Sequence, residues 1–272
     1  MGKCVAAVQM GCAVGRIEEN TERVIRLLKN LYDREPELTL AVFPEMCLYG
    51  YDDFGHIPMK CPQEMLERSL KRIGKVCVDK GFDVVVGAPY YGSRGVENGL
   101  YYLSKTGKIQ HVYSKCHCID AERPYIKEGD VYGICQTPLG KAGFLICWDA
   151  GFAEAARLYA KSGVDFLIVS AAWEIPYERQ WDLAVGGRSF DNDLPVIASN
   201  RVGRDGTVEF FGDSSIFDGL GNRIAGAGFG REGWAVINVE DFFDRSGRKN
   251  FGSQMKELRE ETYTEDAVKY YD

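Results

Sequence analysis

Three residues of reactive type occupy the same kind of place in the chain. Glu45, Lys115 and Cys147 each follow a short segment that reads as a strand: residues 38–43 (LTLAVF), 109–113 and 144–146 (FLI). If those strands are neighbours running the same way, the three side chains meet at one edge of a sheet. A carboxylate beside a thiol can take its proton. A nearby ammonium would hold the thiolate, and then the oxyanion formed when sulfur attacks a carbonyl carbon. Cys147 is followed by strong helix formers at 153–158, and the positive end of that helix is expected to favour the thiolate. Each residue alone has a plainer explanation: a small buried hydrophobe, a turn cap after Pro44, a solvated charge. Their coincidence points to nucleophilic acyl chemistry.

The elements that must position these groups follow from periodicity. Residues 3–9 read as the first strand, and 17–32 as a helix with an apolar stripe at Val24, Leu27, Leu28 and Leu31. Segment 48–58 (LYGYDDFGHIP) has the Gly, Pro and Asp content of a loop, with aromatics able to line a pocket. Residues 64–80 form an amphipathic helix and 83–87 a strand, and strands 100–103 and 109–113 flank a turn at 105–108. A polar loop follows at 121–130, then strands at 133–138 and 144–146 and the Cys147 unit. Strands are expected at 165–170, 196–200, 214–218 and 235–239, a helix at 181–192, and a helical patch at 253–263. Residues 243–272 are strongly charged and end in an aromatic tail, as an arm packing on a partner subunit would. Alternating strands and helices without a linker or short-period repeat indicate one α/β domain with helices outside mixed sheets.

Composition narrows the class. The 272 residues are 45% hydrophobic and 27% charged, as in ordinary globular proteins. A net charge of −7 argues against a nucleic-acid surface, and no apolar run approaches the length of a membrane span. The start MGKCVAAVQM lacks a secretory core, and Ala6 stands where myristoylation wants Ser or Thr. Nine cysteines without framework spacing suggest reduced thiols in the cytoplasm. GFGREG at 228–233 has the GxGxxG pattern but precedes a strand rather than opening a helix, so no dinucleotide site is expected. Cys116-His117-Cys118 has no second ligand pair at zinc spacing, so no metal is expected and His117 reads as a supporting residue near Lys115.

The segments AVFPEMCLYGY, YSKCHCID and GFLICWDAGFAEAARLYAKSGVDFLIVSAAW resemble the Glu, Lys and Cys signatures of the nitrilase superfamily of carbon–nitrogen hydrolases. GGRSFDNDLPVIASNRVG and FGDSSIFDGLG agree with the same family in order and spacing. The resemblance implies a four-layer αββα sandwich whose monomers pair, with no cofactor. It implies Cys147 as nucleophile, Glu45 as general base, Lys115 as the oxyanion-side cation and the Trp148 backbone N–H as part of an oxyanion hole. A second glutamate on the loop before Gly129-Asp130 corresponds to Glu122, with Glu128 the alternative.

Cys147-Trp148-Asp149 and the residues after it look more like the amidase and carbamoyl-amidohydrolase branches than like true nitrilases. A small amide or N-carbamoyl compound is therefore the expected substrate, with a nitrile as the alternative. A catalytically silent binding protein is a third reading, and a redox role without any Cys-x-x-Cys ranks last. Tyr51 and Trp173 are candidate pocket walls. Glu174 or Glu178 would suit an amine-bearing substrate, and Arg179 a carboxylate-bearing one.

Overall fold

The computed structural model describes residues 3–246 and 253–264. Fourteen strands and seven helices are found there. In the first half, β1 (Cys4–Gln9), α1 (Ile17–Arg34), β2 (Leu38–Val42), α2 (Ile57–Lys60), α3 (Gln63–Lys80), β3 (Asp83–Gly92), β4 (Gly95–Leu103) and β5 (Ile109–Ser114) follow one another. Next come β6 (Ile134–Thr137), β7 (Gly140–Ile146), α4 (Ala153–Lys161), β8 (Phe166–Ala171), α5 (Glu178–Asn192) and β9 (Val196–Asn200). The remainder is β10 (Val202–Asp205), β11 (Val208–Phe211), β12 (Ser215–Phe217), β13 (Arg223–Gly226), β14 (Gly233–Asn238), α6 (Val239–Phe242) and α7 (Gln254–Glu257).

Two six-stranded sheets form the centre, ordered β14-β1-β2-β3-β4-β5 and β13-β12-β9-β8-β7-β6. Each has a parallel core of three strands, β1-β2-β3 or β9-β8-β7, flanked by antiparallel partners. Side chains of a strand alternate between faces. Val5, Ala7, Leu40, Val42 and Val85 therefore enter a core shared with the second sheet. Cys4, Ala6, Val8, Ala41, Val84 and Val86 pack on the other face, in the core formed with α1 and α3. Helices α4 and α5 contribute Ala155, Ala156, Tyr159, Trp181 and Val185 to the core of the second sheet. The result is a four-layer αββα sandwich in a single domain.

Most elements fall where periodicity places them. Strands β3 and β4 run further than the sequence suggests, as one hairpin paired from Val84–Leu103 to Gly92–Gly95. The hairpin of β10 and β11 and the strand β13 were not anticipated, being short and rich in Gly and charge. The helical patch expected at 253–263 is only α7 and a single 3-10 turn at Glu260–Thr262. The arm proposed for 243–272 lies partly outside the described residues. Its described part packs back on the same chain, with Lys161 paired to Glu260 at 2.9 Å and Ser253 bonded to Asp193.

One expectation about placement needs correction. The strands before Glu45 and Lys115, β2 and β5, belong to one sheet, whereas β7 before Cys147 lies in the other. The three groups do not line one sheet edge; they meet across the interface of two sheets. The sandwich brings them together through contacts such as Ser170 Oγ, which donates to the Phe43 carbonyl at 2.9 Å.

Candidate active site

Glu45 leaves β2 on a turn whose next residue, Met46, has φ of 49°. This turn presses against β3 at Gly87, where an added Cβ would sit 2.5 Å from both the Pro44 carbonyl oxygen and the Met46 nitrogen. Glycine at 87 is what lets the turn close and point Glu45 inward. Lys115 follows β5 and is fixed by its backbone N–H, which donates to the Asn98 carbonyl at 2.9 Å. The loop carrying Glu122 returns to this strand through Gly129, whose N–H donates to the Lys115 carbonyl at 2.8 Å. A Cβ on Gly129 would lie 2.4 Å from the Ser114 oxygen, so that return also depends on a glycine.

The side chains so positioned form one buried cluster. Lys115 Nζ donates to Glu45 Oε1 at 2.9 Å and to Glu122 Oε2 at 2.7 Å, and all three side chains are fully buried. Asn98 Nδ2 bridges the same two carboxylates, at 2.7 Å to Glu45 and 2.9 Å to Glu122. Glu45 Oε2 accepts from the Ala172 backbone N–H at 2.8 Å, which ties the first sheet to the loop after β8. The Tyr51 hydroxyl lies 3.3 Å from Lys115 Nζ. Of the two candidates for a second glutamate, Glu122 is the one in contact with Lys115. Glu128 is exposed and accepts from the Cys118 N–H instead.

Two carboxylates around one ammonium, sealed from water, give the cluster its electrostatics. Burial raises the Glu45 carboxyl, and Lys115 pulls the other way. Burial alone would lower the Lys115 ammonium, but Glu45 and its other anionic neighbours raise it well above the usual lysine value. Cys147 stands in the field of Glu45, Lys115 and Glu122. Its thiol is pushed well above the ordinary value, first by burial and next by Glu45, against the opposing pull of Lys115 and the Ala172 N–H. The thiolate is expected to gain from the positive end of the following helix, and burial and Glu45 act against that gain. The residue opens a 3-10 segment, Cys147–Gly151, so α4 begins only six residues later.

Cys147 itself has φ of 49°, the backbone of a sharp strand-to-helix turn. Asp149 holds that turn. Fully buried, it accepts from the Ile146 N–H at 3.2 Å, the Tyr113 hydroxyl at 2.8 Å, and the His117 N–H and Nδ1 at 2.9 and 2.7 Å. The turn bearing the thiol and the segment bearing Lys115 are thus cross-linked by one carboxylate. The hydrogen bond to Asp149 raises the His117 imidazole above its ordinary value. His117 is a supporting residue near Lys115 as expected, but it acts through Asp149. Asn98 and Asp149 were not singled out from the sequence; only the place of Asp149 within Cys147-Trp148-Asp149 hinted at a role.

Above Cys147 a cavity of about 390 Å³ opens to solvent, lined by Tyr51, Trp148, Trp173, Glu174 and Tyr177 among others. All three residues proposed for the pocket from the sequence, Tyr51, Trp173 and Glu174, are in its wall. Tyr51 is held by Asp205, which accepts its N–H at 3.1 Å, and by the edge of Phe210. Trp173 is clamped by Asn200, which accepts the Trp173 N–H at 2.7 Å and donates to its carbonyl at 3.2 Å. Glu178 and Arg179 do not line the cavity. No group of three or more His, Cys, Asp or Glu suited to a metal ion occurs among the described residues. No helix among them is long and apolar enough to cross a membrane.

The fold is the one shared by carbon–nitrogen hydrolases of the nitrilase superfamily. The chain belongs to the carbon–nitrogen hydrolase family, whose pattern matches residues 4–241. It is 31% identical over 250 residues to a protein of Schizosaccharomyces pombe named "probable nitrilase", covering 91% of this chain and 92% of that one. A 2-oxoglutaramate amidase of Bacillus subtilis is 26% identical over 237 residues, 82% of this chain and 86% of the relative. Among solved structures, an amidase of the nitrilase superfamily from Nesterenkonia superposes with a TM-score of 0.82 at 18% identity, covering 96% of this chain and 95% of that one.

Proposed function

We propose that the protein hydrolyses the C–N bond of a small amide or N-carbamoyl compound through a thioester on Cys147. The observation that carries this reading is the sealed Glu45–Lys115–Glu122 cluster beside a thiol that lines an open cavity. Glu45 takes the Cys147 proton as sulfur attacks the carbonyl carbon. The C=O electron pair moves to oxygen, and the oxyanion is held by Lys115 and the Trp148 backbone N–H. Glu45 then gives its proton to the departing nitrogen as the C–N bond breaks, leaving a thioester and free amine or ammonia. Water enters and Glu45 takes its proton as the water oxygen bonds to the thioester carbon; the tetrahedral intermediate then collapses with the C–S bond breaking, the acid product leaves, and the proton returns to sulfur. Glu122 orients Lys115 and the substrate without exchanging a proton. The raised carboxyl of Glu45 suits this shuttle, because its carboxylate is a stronger base toward the thiol and, once protonated, it holds the proton until the leaving group takes it.

Amide or carbamoyl hydrolysis is preferred to nitrile hydrolysis on the Cys147-Trp148-Asp149 sequence and on the amidase among the relatives. The S. pombe relative's name keeps the nitrilase as the second reading. Ammonia release from simple amides, ω-amides, N-carbamoyl amines and aliphatic nitriles separates the two. Replacing Cys147 by Ala is expected to lower turnover by about 10⁴-fold or more with the fold intact by circular dichroism; turnover like the wild type would remove the proposal. Pairing of two copies in the cytoplasm belongs to the same proposal, and sedimentation velocity tests the pairing.

A further inference from the structure

The cavity wall differs in character from the cluster beneath it. Tyr51, Trp148, Trp173 and Tyr177 present aromatic surface, and Gln180 and Glu174 are its polar members. Among the described residues that line it there is no lysine or arginine. Glu174 is therefore the only formal charge among the described residues of the wall. Its backbone is fixed on both sides: Trp173 is clamped by Asn200, Glu174 bridges to Phe210, and the Ile175 N–H donates to the Glu209 carbonyl at 2.9 Å. The side chain is partly buried and pairs with no cation among the described residues.

A partly desolvated carboxylate without a counter-charge, set among aromatic faces, is a poor environment for an anion and a good one for a cation. Ring quadrupoles attract positive charge, and a second carboxylate brought in with a substrate would meet repulsion while losing its hydration. The buried cluster has the same sign, with two carboxylates around a single ammonium.

Building on the hydrolase reading above, we infer that the substrate carries a cation at the end remote from its scissile bond. It is an amide or N-carbamoyl compound with an ammonium group on a short aliphatic chain, recognised by Glu174 and the aromatic wall. The cavity volume of about 390 Å³ keeps the molecule small.

Three amides of equal length, ending in ammonium, methyl or carboxylate, test this. The ammonium compound is expected to exceed the methyl compound by about tenfold in kcat/KM, with the carboxylate compound lowest. Glu174→Gln brings the ammonium-to-methyl ratio close to one, and Glu174→Lys makes the carboxylate compound better than the ammonium one. A wild type without charge preference, a wild type preferring carboxylate, or a ratio unmoved in Glu174→Gln would overturn the inference. Turnover of the methyl compound, lost in Cys147→Ala, upholds the hydrolase reading independently of any preference. If no amide is turned over, that reading fails, and the subsite is then read from iodoacetamide labelling of Cys147. Protection by the ammonium compound alone supports the cation site; equal or no protection overturns it.

Discussion

Two regions meet at Cys147 and follow opposite rules. Below the sulfur, Glu45, Lys115, Glu122 and Asn98 are buried and joined by bonds of 2.7 to 2.9 Å. Above it, the wall is largely aromatic, open, and carries one carboxylate without an ion-pair partner among the described residues. Removing one member of a sealed charge network leaves the others uncompensated, so the lower region tolerates almost no change. The upper region touches water and is made of side chains whose replacement alters fit more than folding. Under the proposed function, the first region would set the type of reaction and the second the choice of substrate.

The largest effect expected from breaking the lower region is that of Glu45→Gln. Loss of the proton shuttle should reduce kcat by about 10²- to 10⁴-fold. Alkylation of Cys147 by iodoacetamide should persist, because the substitution also removes a negative charge that disfavours the thiolate. In the wild type, the acid limb of kcat/KM should lie above the ordinary carboxylate range, since burial raises Glu45. A limb at or below that range, or a Gln variant with full kcat, would count against Glu45 as base.

A smaller loss is expected for Asn98→Ala, which unties the two carboxylates while leaving the three ionisable groups in place. Displacement of Glu45 by a fraction of an ångström should cost about 10- to 100-fold in kcat with little change in KM. Stability should fall by about 1–3 kcal/mol as the carboxylates lose a buried donor. A KM effect alone would show that Asn98 serves the cavity and not the cluster.

How far the sequence foretold this division depends on the kind of signal. The long amphipathic helices α1 and α3 and the buried strands β2, β8 and β9 have strong periodicity and lie where it puts them. Glu45, Lys115 and Cys147 were visible because each ends a strand, yet strand ends do not reveal which sheet a strand joins. The meeting of β2, β5 and β7 across two sheets is a tertiary fact. Asn98 was invisible because an Asn within a strand has no pattern of its own; only the register that sets Asn98 next to Lys115 gives it meaning. The upward push on the thiol is illegible in the sequence for a similar reason. Helix polarity can be read locally, whereas burial and the charge of Glu45 come from residues far along the chain.

The smallest expected effect concerns the carboxylate that joins the two halves of the site. His117 is raised by its bond to Asp149, so the interaction stabilises the fold fully below the unfolded histidine value of about 6.5 and fades as pH rises through the higher folded value. Because the imidazole is a third exposed, the change in melting temperature should be modest. His117→Gln should flatten the dependence on the alkaline side of about 6.5. An unchanged slope in that variant would place the dependence elsewhere.

The central claim is that carbon–nitrogen cleavage passes through sulfur, and rapid quenching during turnover of a small amide, followed by peptide mass analysis, examines it most directly. An acyl group on Cys147 that builds up and decays at rates compatible with kcat is the result expected here. Steady amide hydrolysis with Cys147 never acylated, and undiminished in Cys147→Ala, would contradict it.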